Sequence, residues 1–278
     1  MKPRTRRGAA VRLAMGIVWL GACVRAAAAA PTLLFDEAHG QQFTIEKAGA
    51  LDLSALAKLF RAAGARVESN HEPLTAARLS GADGLVVSGP FAPFAPAEIE
   101  AITGFVDHGG RLALMLHIPQ PVSPLLERLG VDFSNGIIRE PANVIKDDPL
   151  NFHVTALRQH AVTQHVEGFD VFGAWALLNR GANVTVIAQT SPTAWVDLNA
   201  NGKLDAGDAV QSFAVAVAGQ VGRGGFVVFG DDAIFQNQFL TGGNVVLARN
   251  LGAWLGQGAR SVEGPEALAD SRGRKRKL

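Results

Sequence analysis

Three short apolar runs, TLLFD at residues 32–36, GLVVS at 84–88 and RLALM at 111–115, constrain this chain most strongly. Each is about a strand long, and none alternates with polar residues. A run that is apolar on every residue belongs to a strand covered on both faces. The segments between them carry the coverings. DLSALAKLFRAAG places Leu53, Leu56 and Phe60 at helical spacing before Gly64. FAPAEIEAITGFVDHGG starts with Pro96, gathers Ile99, Ile102, Phe105 and Val106 on one face, and stops at Gly109-Gly110. ARVES is a further strand, and PVSPLLERLGV a short helix. Strands alternating with helices predict an α/β fold, a parallel sheet with helices on both faces. Residues 131–220 break the alternation with short strands and loops, and are expected to form an α+β elaboration of the same domain. GGFVVFGDD then returns to a core strand, and NVVLARNLGAWL closes the domain as a helix near residue 258.

The ends of the chain have a different character. MKPRTRR followed by LAMGIVWLGACV and RAAAAAP matches a basic, then apolar, then small-residue export leader. The apolar run is too short to span a membrane comfortably, so residues 1–29 are expected to be removed and the mature chain to be periplasmic or extracellular, with no transmembrane span. LGAC resembles a lipobox, which leaves open a lipid anchor at Cys23; Arg6-Arg7 leaves open a twin-arginine route. Cys23 is the sole cysteine, so the domain after the leader has no disulfide, thiolate metal site or cysteine nucleophile. Residues 259–278 end in SRGRKRKL and are expected to be a disordered basic tail. The chain has 26 Lys and Arg against 25 Asp and Glu, but leader and tail hold many of the bases, so the body between them is acidic. An acidic body argues against nucleic acid as the main partner.

In parallel sheets ligands sit beyond the carboxyl ends of the strands. Those ends carry Asp36, Glu37 and His39, then Ser88, then His117, and later Asp231 and Asp232; of these, Asp36, Glu37, His39, His117 and Asp231 form the candidate polar group. Asp36-Glu37-Ala38-His39 spells the helicase DEAH, but no phosphate loop of the form Gly-Lys-Ser/Thr accompanies it, which excludes a P-loop ATPase. Carboxylates with imidazoles could hold a divalent metal or run acid–base chemistry. The same residues could equally cap turns and satisfy one another as structural groups. Phe91, Phe94 and Phe235 are candidate walls of a ligand pocket there.

LLFDEAHGQQF, GADGLVVSGPFAPFAPAEIEAITGFVDHGGRLALMLH, GGFVVFGDDAIFQN and NLGAWL together resemble an uncharacterised exported family of the class I glutamine amidotransferase-like superfamily. The resemblance spans most of residues 32–255 and implies a flavodoxin-like sheet. Amidotransferases carry G-x-C-x-G after a central strand. Here that turn reads His117-Ile118-Pro119-Gln120, so the nucleophile for amide hydrolysis is missing.

The most specific motif is DLNANGKLDAGD at 197–208. Asp197, Asn199, Asn201, Asp205 and Asp208 occupy the oxygen-ligand positions of an EF-hand-like calcium loop, Gly202 its turn, and Lys203 the position that offers a backbone carbonyl. Leu204 stands at the position such loops bury. With strand-like segments on both sides, the expectation is a calcium-clipped hairpin holding a weak structural Ca²⁺. The combined expectation is a non-catalytic binding protein for a small molecule, glycan or envelope protein. A hydrolase using the strand-end group is the alternative, and a subunit of an envelope assembly a third possibility.

Overall fold

The computed structural model describes residues 29–259. The segment expected to be an export leader, with Cys23, and the expected disordered basic tail therefore lie outside the described residues, apart from Ala29 and Ala259. The first half alternates as the apolar runs require. Thr32–Asp36 form β1, Ser54–Ala62 α1, Arg66–Asn70 β2, Ala76–Leu79 α2, Gly84–Ser88 β3, Pro96–Asp107 α3 and Arg111–Met115 β4. A short α4, Ser123–Arg128, follows. The remainder is mostly strand. Val131–Arg139 is β5, Val144–Ile145 β6, Asp148–Val154 β7, Ala156–Leu157 β8, Phe169–Phe172 β9 and Trp175–Asn179 β10. Val184–Gln189 is β11, Trp195–Val196 β12, Ala209–Val210 β13, Ala214–Val221 β14 and Gly224–Phe229 β15, before the closing helix α5, Gly242–Leu255.

Strands β2, β1, β3, β4 and β15 lie side by side and parallel, with Leu33 opposite Val67 and Gly84, and Leu112 opposite Leu85 and Phe226. The pleat sorts their side chains into two cores. Leu33, Phe35, Val86, Met115, Val227 and Phe229 face Leu56 and Phe60 of α1 and Leu251 and Trp254 of α5. Leu34, Leu85, Val87, Leu114, Phe226 and Val228 face Ile102, Phe105 and Val106 of α3 and Leu125 of α4. Each such fully buried side chain contributes about 1.5–3 kcal/mol. Helices α1 and α5 approach closely because residue 252 is glycine: a Cβ there would lie 2.5 Å from the Phe60 ring.

The sheet does not stop at β15, and this overturns the expected flavodoxin-like, glutamine amidotransferase-like parallel fold. β14 joins β15 antiparallel, and β10, β5, β12 and β13 extend the order outward, with β11 also on β14 and β8 on β11. The result is one mixed sheet of 12 strands with few helices, beside a three-stranded antiparallel sheet, β6-β7-β9. The cause is the linkers. A parallel neighbour needs a crossover of a dozen or more residues, whereas antiparallel strands need only a tight turn. From β5 to β15 no helix intervenes, and β14 turns into β15 through Gly222 in the left-handed region at φ 53°. The residues expected to decorate the domain instead build half of its main sheet. No helix among the described residues is long and apolar enough to cross a membrane.

Candidate functional site

Two histidine–carboxylate groups stand at the carboxyl edge of the parallel strands, and they differ in exposure. The first is buried. Asp36 ends β1, and the turn after it carries His39 back so that Nδ1 lies 2.8 Å from Asp36 Oδ2. His39 Nε2 lies 3.1 and 3.2 Å from the two oxygens of Glu98, in the first turn of α3. Both ring nitrogens face carboxylates, so both must donate, which requires the imidazolium. Burial pulls the His39 pKa down, but Asp36 and Glu98 outweigh it and the net direction is up. Gln41 closes the group: its Nε2 donates to Asp36 Oδ2 at 2.6 Å, and its Oε1 accepts the His39 N–H at 2.8 Å. Glu98 also accepts the Leu74 and Ala95 N–H groups; burial raises its pKa, and these bonds with His39 bring it below its usual value. The cluster is saturated from within, and it acts as a clamp joining β1, α3 and the loop between them.

Glu98 was absent from the sequence-derived candidates. Its signal was present, as a glutamate three residues into a helix begun by Ala95-Pro96, where it can accept the backbone N–H of Ala95. Glu37, next to Asp36, turns elsewhere: it accepts the Ile45 N–H at 2.8 Å and stands 3.9 Å from His71 Nε2.

The second group is accessible. His117 follows β4, and Nδ1 lies 3.1 Å from Oδ1 of Asp232, just beyond β15. The His117 side chain is 38% exposed and that of Asp232 only 3%. Trp175 Nε1 donates to the His117 carbonyl at 3.0 Å and fixes its backbone. Phe43 meets the imidazole edge-on at 5.6 Å, and Phe91 tilts over it at 5.3 Å. The hydrogen bond to Asp232 raises the His117 pKa, with burial opposing and both aspartates adding to the rise. Asp232 Oδ2 is buried and accepts no hydrogen bond. Gly89, at φ 51°, makes room for it, since a Cβ there would stand 2.7 Å from that oxygen and 3.1 Å from His117 Cβ. Neighbouring Asp231 is also buried. It accepts the Phe172 N–H at 2.7 Å and the Ala233 N–H at 2.8 Å. Burial, then the adjacent Asp232 charge, pushes its pKa up to about 7 against those two bonds.

Of the five expected strand-end residues, Asp36 and His39 belong to the first group, His117 to the second with Asp231 beside it, and Glu37 to neither; one loop joins the two groups. The His39 carbonyl accepts from Phe91 and Ala92, both at 2.9 Å, and Phe94 packs on the His39 ring at 3.9 Å. The clamp therefore seats the segment that carries Phe91 to His117. Of the three phenylalanines proposed as pocket walls, Phe91 is 38% exposed, whereas Phe94 and Phe235 are core. Among the described residues no group of three His, Cys, Asp or Glu side chains is arranged to hold a metal ion.

The calcium-type loop spans the antiparallel pair β12–β13. Asp205 Oδ2 accepts both the Asn199 and Asn201 amides, at 2.9 and 2.7 Å. Asp197 accepts the Asn201 and Gly202 N–H groups, Asn201 that of Lys203, and Asp208 those of Leu198 and Asp205. Arg139 Nη2 stands 3.7 Å from Asp197. Leu204 is 54% exposed rather than buried.

Comparison with solved structures finds the IFT52 N-terminal domain at a TM-score of 0.66 and 18% identity, covering 81% of this chain and 97% of that one. A ThuA-like protein from Bacteroides uniformis matches at 0.52 and 15% identity, covering 82% and 93%. The cytoplasmic protein STM1381 from Salmonella typhimurium LT2 matches at 0.53 and 17% identity, covering 81% and 99%. At these identities the likeness is one of fold. A comparison with curated proteins finds no match. A family model, the domain of unknown function DUF4350, matches residues 47–251, and with these neighbours it replaces the resemblance to class I glutamine amidotransferases. Since that match takes in most of the chain, the protein belongs to the DUF4350 family.

Proposed function

We propose that this protein binds a small molecule at His117 and that the His39 group is the clamp which shapes the site. One observation carries this reading: a half-exposed imidazole, held from behind by a buried aspartate, with Phe43 and Phe91 around it. Held through Nδ1, the ring has Nε2 left for a ligand, and no described residue shares a hydrogen bond with that nitrogen. The matching ligand offers an acceptor or anionic group to His117 and an apolar or ring face to Phe91. In this reading the export leader, once removed, leaves the site outside the cytoplasm, and the 197–208 loop, whose carboxylates accept N–H groups of the loop here, turns its oxygens to a weak structural Ca²⁺ through Asp197, Asn199, Asn201, Lys203, Asp205 and Asp208.

Benzoate is a suitable probe because it joins a carboxylate to a ring. Its titration, followed by NMR on the His117 ring signals and on the Trp175 indole N–H that bonds the His117 carbonyl, is expected to give a saturable millimolar shift, and His117→Gln is expected to abolish the indole response. Absence of any saturable shift would sink the reading. A second reading, a hydrolase with His117 as general base on water, is favoured by the raised His117 pKa beside an aspartate near 7. Hydrolysis of p-nitrophenyl acetate that disappears in His117→Gln would decide for the enzyme.

A further inference from the structure

The opposite edge of the parallel sheet holds an arginine with no carboxylate partner among the described residues. Arg111 opens β4, with Gly84 of β3 and Gly225 of β15 as its register partners. The missing side chain at Gly225 lets Arg111 lie across the edge: a Cβ there would stand 2.7 Å from Nη1. Its guanidinium carbon sits 5.1 Å from the centre of the Trp254 ring, and His160 packs on the same indole at 6.0 Å. Arg66, Arg78, Arg128, Arg139 and Arg180 each have a carboxylate partner within 4.0 Å; Arg61, Arg111, Arg158, Arg223 and Arg249 have none among the described residues, and of these five Arg111 alone is not exposed. Its Nε is buried without an acceptor. Burial lowers the Arg111 pKa, and burial followed by the Arg111 charge lowers that of His160.

A guanidinium stays charged at any physiological pH, so its desolvation has to be offset. The face of an indole recovers about 1–2 kcal/mol. It satisfies none of the N–H donors, which lie in a planar fork that fits two oxygens of one anion. We propose that Arg111, seated on Trp254, is a binding site for the oxyanion of a small ligand, a phosphate or a carboxylate. The site is independent of His117, which lies at the other end of the strands.

The competing occupant is internal. The chain leaves the described residues at Ala259, whose N–H donates to Gly109 at this same edge, and Glu263, Glu266 and Asp270 follow. The test is ¹⁵N NMR of the arginine Nε–H signals in the full chain, titrated separately with inorganic phosphate and with acetate. One signal, absent in Arg111→Lys, is expected to shift saturably in the millimolar range with at least one anion, and the stronger of the two names the ligand class. Arg111→Lys keeps charge and stem but loses the fork, so it should retain the fold and lose saturation. The response should survive His117→Gln, which separates this site from the proposed ligand site. No saturable shift with either anion overturns the proposal. So does a shift that appears only in a Glu263→Gln/Glu266→Gln/Asp270→Asn chain, since an internal acid would then hold Arg111.

Discussion

Asp231→Asn tests the electrostatics of the carboxyl edge because it removes a titration and leaves the shape. In the folded protein burial and the Asp232 charge push the Asp231 pKa up to about 7, from an ordinary value of 3.8. Below 3.8 both folded and unfolded chains are protonated and the group adds nothing. Between 3.8 and 7 the folded chain holds a proton that the unfolded chain has released, so stability falls as pH rises. Above 7 the whole difference is expressed, and the gap of about three pH units corresponds to roughly 4 kcal/mol against folding. Asparagine has no such titration. It keeps one acceptor for the Phe172 and Ala233 N–H groups and turns an amide toward the other, which costs about 1–3 kcal/mol at every pH. The two effects cross. At pH 4, where wild type has lost little of its stability, the variant should be the less stable, and at pH 8.5 it should draw level with wild type or pass it. Urea unfolding at a series of pH values reads this directly. If the difference between the two proteins stays constant from pH 4 to 8.5, Asp231 is ionised throughout and the account of this edge is wrong.

Three further outcomes follow from the same contacts. His39→Leu strands Asp36 and Glu98 without their shared cation and should lower stability by about 3–5 kcal/mol; because a histidine pKa raised on folding stabilises fully below 6.5 and loses that effect as pH rises through the folded value, the deficit measured by urea unfolding should shrink from pH 6 to pH 9 if imidazolium formation is what matters. Phe229→Ala empties a fully buried position that meets Phe235 edge-on at 5.0 Å, and should cost about 3–5 kcal/mol in the same assay; less than about 1 kcal/mol would show that the core there collapses freely. Ca²⁺ at ten to a hundred times its dissociation constant should stabilise the EDTA-treated protein by about 1–3 kcal/mol in thermal unfolding, an effect that Mg²⁺ does not reproduce and Asp205→Asn weakens; no Ca²⁺ response in wild type removes the metal from the 197–208 loop.

What the sequence made legible is what local pattern encodes. The apolar runs at 33–35, 85–87 and 112–115 became the cores of the central parallel strands, and the helical spacing of Leu56 with Phe60 and of Ile102 with Phe105 and Val106 became their two coverings. The pattern is blind to which strand sits beside which. Residues 131–221 read as short strands in isolation, and only the lack of crossover helices shows in hindsight that they had to pair antiparallel and widen the sheet. The site illustrates the same limit. Asp36 and His39 are three residues apart and their pairing is a local matter, but Glu98 arrives from 59 residues away and Asp232 from 115 residues beyond His117. The strand ends showed both Asp231 and Asp232, and the candidate group took Asp231, whose carboxylate caps backbone N–H groups, whereas the residue that holds His117 is Asp232. A one-residue difference in an extended segment reverses the direction of a side chain, and period-2 reasoning cannot fix that phase once the strand has ended. Exposure was equally hidden, since His39 and His117 both follow apolar strands. The acidic residue at the start of α3 is what separates them. It closes the ring around His39, and the residues facing His117 from the matching side, Phe43 and Phe91, offer no carboxylate. That single contrast, a histidine saturated by the protein against one left open to solvent, is why His117 rather than His39 is where a ligand should be sought.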